Sequence, residues 1–85
     1  MNQDTSAIIM ETLSKAVKPL TEQQLFKRCK LVDFEDFEDC LFVLTTRNNE
    51  LTAQPEVKHV NLQGVYYFTL PNSSYTYDYA SGKFK

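Results

Sequence analysis

Apolar residues recur at helical spacing in three stretches of this chain, and then the period changes. Ile9, Leu13, Ala16 and Val17 follow i, i+4, i+7, i+8, which predicts an amphipathic helix over Asp4–Val17. Asp4, Thr5 or Ser6 can cap its start, and Lys18-Pro19 ends it. Thr21 with Gln24 three residues later forms a capping box, which opens a second helix over Thr21–Lys30. Its stripe is Leu25, Phe26 and Cys29, with Leu20 placed to staple onto Leu25. A third helix is expected from Asp33 to Arg47 or Asn48, with Phe34, Phe37, Leu41 and Leu44 on one stripe and Asn48-Asn49 as its C-cap.

Beyond the third helix the pattern is that of strands. Leu51-Thr52-Ala53 alternates and predicts a short strand. Val65-Tyr66-Tyr67-Phe68-Thr69-Leu70 is rich in β-branched and aromatic residues and is the strongest strand signal, with turn residues at Asn61–Gly64 just before it. Pro55 confines the intervening segment to an edge, and the hairpin register stays open between pairing 51–57 and pairing 57–60 with 65–70. From Pro71 the chain turns polar, with Tyr75, Tyr77 and Tyr79 alternating. Residues 71–85 are either a loose polar tail or an arm that docks on the domain or on a partner.

Eighty-five residues make one small domain with room for one core. The order of three helices and then a two- or three-stranded antiparallel hairpin, carried by Ile9 to Leu70, resembles the winged helix-turn-helix superfamily. That resemblance implies an α+β winged-helix domain over residues 4–70. Thr21–Lys30 and Asp33–Asn48 would be its helix-turn-helix pair and Leu51–Leu70 its wing. In the superfamily the third helix commonly enters the major groove of DNA.

Charge changes that expectation. The net charge is −2, so no global positive field draws in phosphate. Asp33, Glu35, Asp36, Glu38 and Asp39 load the first turns of the third helix with carboxylates, where base-reading helices carry Arg, Lys, Asn or Gln. Acids at a helix N-terminus are worth roughly 0.3–1 kcal/mol each, so part of this run serves the helix dipole. The run Cys40–Leu44 is apolar around nearly the whole helix, which leaves Phe42 and Val43 to be covered by the wing, by the tail or by another chain.

The favoured reading is a protein-interaction adaptor or inhibitor. Glu35, Asp36, Asp39, Phe42 and Val43 would dock on a basic, partly apolar groove of a larger protein, in competition with nucleic acid where that groove normally holds it. Phages and mobile elements frequently encode small proteins of this kind. The alternative is a transcriptional regulator binding double-stranded DNA as a homodimer through Lys27, Arg28, Lys30, Arg47 and Lys58, with Lys15 and Lys18 adding to that surface.

Other chemistry is sparse. Cys29 and Cys40 fit no metal or redox spacing and read as reduced thiols near the core. His59 has no partner histidine or nucleophile evident, and only Gly64 and Gly82 are present, so no phosphate-cradling loop forms. No enzyme activity, cofactor or metal is expected. With no basic leader or long apolar run, the expected location is the cytoplasm, away from membrane.

Overall fold

The computed structural model describes residues 3–48 and 50–85, residue 3 in its backbone only. The chain runs α1 (Gln3–Lys15), β1 (Leu20–Thr21), α2 (Glu22–Cys29), α3 (Phe34–Thr46), β2 (Lys58–Leu62), β3 (Val65–Thr69), β4 (Tyr77–Asp78) and β5 (Lys83–Phe84). It is a small α+β domain of three helices followed by antiparallel strands.

Each helix is set by local chemistry. The α2 capping box forms as expected: Gln24 N donates to the Thr21 hydroxyl at 3.2 Å and Thr21 N donates to Gln24 Oε1 at 3.1 Å. Lys30 closes α2 in the left-handed region, at φ 56°. Asp33 caps α3 by accepting from Asp36 N at 3.1 Å. Ile9, Leu13, Leu25, Cys29, Phe37, Cys40, Leu41 and Leu44 converge as one core, with Phe26 edge-on to both Phe34 and Phe37. Val57, in the segment whose sequence was ambiguous, is fully buried there and donates its N–H to the Leu44 carbonyl.

Several expectations are corrected. Asp4, Thr5 and Ser6 lie inside α1 rather than capping it. The helix stops at Lys15, because the Ala16 N–H turns back to the Leu13 carbonyl, and Val17 is 87% exposed rather than in the stripe. Leu20 reaches the core as part of a strand, paired with Phe68, which adds a third strand before α2. Leu51–Ala53 forms a turn with Leu51 95% exposed, since only Val57 returns the chain to the core. The α3 cap is Arg47 in an extended conformation, and Asn48 bridges to Pro55 instead of adopting the left-handed form. Asn49 lies outside the described residues.

The sheet order is β1-β3-β2, all antiparallel, with Lys58 opposite Thr69 and Leu62 opposite Val65. That register leaves a two-residue turn in which Gln63 (φ 54°) and Gly64 (φ 85°) are both left-handed, the geometry whose twist matches a tight hairpin. Side chains alternate across the sheet. Leu20, His59, Tyr66 and Phe68 share the face toward the helices. Tyr67 points to the other face, where β4 and β5 form an arm over it. The Tyr67 and Phe84 rings meet edge to face at 4.8 Å, and Tyr75 and Tyr77 pack on Phe84. Residues 75–84 are therefore a docked layer, not a loose tail.

Candidate functional site

Between the exposed face of α3 and the β2–β3 hairpin lies an open groove of about 530 Å³. One wall is Glu38, Asp39, Phe42 and Thr46 of α3. The other is His59 of β2 with Tyr66 and Phe68 of β3, and Glu22 of α2 closes one end. The α3 wall follows from 3.6-residue periodicity. Burying Phe37, Cys40, Leu41 and Leu44 turns Glu35, Asp39, Phe42 and Thr46 outward. The opposite wall follows from strand alternation, because Tyr66 and Phe68 share a face and His59 is the cross-strand partner of Phe68. The His59 ring sits 5.9 Å from Tyr66 and 6.5 Å from Phe68, centroid to centroid.

Phe42 is 67% exposed and Tyr66 55% exposed, so the groove presents two large rings to solvent. The hairpin faces Phe42 without covering it, and the arm lies on the far side of the sheet. Partial burial, and then repulsion from Glu38, push the Glu22 carboxyl above its ordinary range. The groove thus combines free aromatic surface with three carboxylates and no lysine or arginine in its lining.

The structure divides the five acidic-face residues expected from sequence. Asp39 and Phe42 line the groove, and Glu35 is exposed on the same side of α3. Asp36 turns toward α1, where it accepts a hydrogen bond from the buried Thr5 hydroxyl at 2.5 Å. Val43 is half-buried beside Leu44, Arg47, Asn48 and Glu56. Glu22, Glu38, His59, Tyr66 and Phe68 were missed. The alternation of Tyr66 with Phe68 was visible in sequence, but placing it against α3 needed the hairpin register.

Of the cations expected to meet DNA, Arg28 and Lys30 line one depression beside α1, together with Lys15, whose ammonium pairs with Glu11 at 2.8 Å. Lys27 is exposed on α2. Arg47 stands apart at the end of α3, and Lys58 is exposed at the start of β2. Cys29 and Cys40 are both buried and form no disulfide, and burial raises the Cys29 thiol pKa despite its contact with Thr12. Among the described residues no group of three or more His, Cys, Asp or Glu side chains is arranged to hold a metal ion, and no helix is long and apolar enough to cross a membrane.

No protein-family model matches the sequence, and no curated protein or solved structure matches it.

Proposed function

We propose that this domain is a winged helix that serves as a protein-interaction module, taking a basic segment of a larger protein into the groove between α3 and the wing. The winged-helix reading rests on the order α1-β1-α2-α3-β2-β3 and on the way β1 joins the hairpin in a β1-β3-β2 sheet. The functional reading rests on one observation: exposed Phe42 and Tyr66 line the same groove as the carboxylates of Glu22, Glu38 and Asp39, and no lysine or arginine lines it. An arginine or lysine side chain satisfies both features at once. Its cationic head meets the carboxylates, and its planar or aliphatic part lies on the rings. A phosphate backbone at the same place would meet repulsion. Where the partner's basic segment ordinarily holds nucleic acid, its capture here makes the domain an inhibitor by competition.

The test is a fluorescent peptide alternating arginine with leucine, titrated with protein and followed by anisotropy and by amide chemical shifts. Shift changes should centre on Glu38, Asp39, Phe42 and Tyr66, and Asp39→Lys should weaken binding about tenfold or more. Unchanged affinity in Asp39→Lys and Phe42→Ala would remove the groove from the function.

A further inference from the structure

A second surface, which shares no lining residue with the groove, gathers the opposite charge. A depression of about 330 Å³ lies where α2, the segment entering β1 and the C-terminal arm meet. Lys18, Arg28 and Lys83 converge on it from three separate parts of the chain, and Gln24 adds a polar amide. Its lining contains no carboxylate. Arg28 also lines the adjoining depression of about 550 Å³ with Lys15 and Lys30, where Glu11 is the one acid. That acid is already engaged by Lys15. Lys18, Arg28, Lys30 and Lys83 therefore gather positive charge across two neighbouring hollows in whose lining Glu11 is the one acid.

The bland account is that cations near the end of α2 serve its dipole. It covers Lys27 and Arg28, which are in the last turn. It does not cover Lys18 or Lys83. Lys83 is brought in by the arm, and Lys18 is tied to the arm through a 3.2 Å bond from its ammonium to the Phe84 carbonyl. Docking of the arm thus assembles the cationic cluster.

We infer that this surface binds the phosphodiester backbone of a nucleic acid without reading its sequence. What it presents is charge and one amide, the groups that position phosphates. It lacks the free apolar anchor that the centre of a protein interface requires. Leu20 is buried, and Tyr67 and Phe84 are occupied by each other. Nucleic-acid interfaces are more polar and more positive, as this one is. The sheet fixes the polarity of the molecule. Tyr66 and Phe68 look into the acidic groove, while Tyr67 between them looks toward the arm and the cations. Bound this way, the domain holds nucleic acid with its acidic α3 face turned elsewhere.

The experiment is anisotropy of labelled mixed-sequence oligonucleotides, single-stranded and duplex, titrated with the full chain at increasing salt. Three phosphate contacts on duplex predict a loss of roughly 40-fold in affinity between about 50 and 200 mM salt. Arg28→Glu and Lys83→Glu should each weaken binding about tenfold or more at low salt, while Lys58→Gln, outside the depression, should change it little. All three side chains are exposed, but Arg28→Glu opposes the α2 dipole and Lys83→Glu faces Asp78 across the arm, so thermal melts should drop by a few degrees at most and leave the chain folded. Absent binding at about 20 mM salt, or wild-type affinity in both charge reversals, would overturn the inference. So would equal competition by a polyglutamate peptide, which would assign the surface to an acidic protein. The arginine–leucine peptide serves as the internal reference. Its affinity for the groove should survive Arg28→Glu, so failure of one surface is separable from failure of the other.

Discussion

Tyr77 donates its hydroxyl to Gln63 Oε1 at 3.1 Å, and the same Gln63 donates through Nε2 to the Tyr79 carbonyl at 3.0 Å. The C-terminal arm is thereby latched to the tip of the β2–β3 hairpin, at a residue whose backbone is left-handed. Gln63→Gly removes both side-chain bonds and relaxes that backbone. These effects oppose each other, so the melting temperature should move little while amides of residues 77–84 lose protection from hydrogen exchange. Phe84→Ala acts on packing instead. Loss of its contacts with Tyr67, Tyr75 and Tyr77 should cost about 1–3 kcal/mol and lower the melting temperature by several degrees.

Asp36 and Asp39 stand three residues apart on α3 with separate duties. Asp36→Ala leaves the buried Thr5 hydroxyl without its acceptor, at a cost of about 1–3 kcal/mol in a chemical denaturation curve. Binding of the arginine–leucine peptide should stay within about twofold of wild type, a change small beside a tenfold loss of 1.4 kcal/mol. Asp39→Ala should show the reverse: unchanged stability and weakened binding. Equal behaviour of the two variants would contradict the division of the α3 face.

Phe42 provides the sharpest separation of fold from function. With its ring mostly in solvent, Phe42→Ala should alter stability by no more than about 0.5 kcal/mol in urea denaturation. The same change removes an exposed aromatic wall of the groove and should weaken the peptide complex severalfold. A stability loss of several kcal/mol would instead mean that the ring is buried in solution.

Protonation of Glu22 should switch the groove. Its carboxyl is raised by burial first and by Glu38 second, so ionising it costs more in the fold than in the unfolded chain. Its favourable contribution to stability is thus full below the unfolded pKa and is lost as pH rises through the higher folded value. A cationic ligand prefers the ionised form, so peptide affinity should have the opposite slope, falling as pH drops through that raised pKa. Glu38→Gln should bring the Glu22 titration, followed by carboxyl carbon shifts, to lower pH. No movement of that midpoint would show that the two carboxylates do not interact.

The helices were legible because their signals are local. The capping box at Thr21 and the stripe through Phe37, Leu41 and Leu44 need no knowledge of the rest of the chain. The two-residue strand β1 was not legible, since Leu20-Thr21 becomes a strand only because Tyr67 and Phe68 lie beside it. Leu51–Ala53 misled for the complementary reason. Alternation over so short a run has no force unless a partner strand receives it, and the buried Val57 drew the register to 58–62. At the candidate site, the exposure of Asp39 and Phe42 could be read from the helical wheel. Asp36 and Val43 were read onto that same face and lie off it, because they sit at its margins, where packing of α1 and of the 47–57 segment decides burial.

The bond between Lys18 and Phe84 joins positions 66 apart in the chain, and β1 likewise waits for β3. In chain order the three helices come before the hairpin and the arm. Leu20 stays without its strand partner until the hairpin arrives, and the Tyr67 face stays open until the arm follows. Such distant pairings slow folding relative to a helical bundle of the same size. The aromatic groove needs the hairpin, and the cationic hollow needs the arm as well. A chain cut before residue 58 therefore lacks both binding surfaces, and one cut before residue 82 lacks the cationic hollow, which ties each mode of recognition to a different stretch of intact chain.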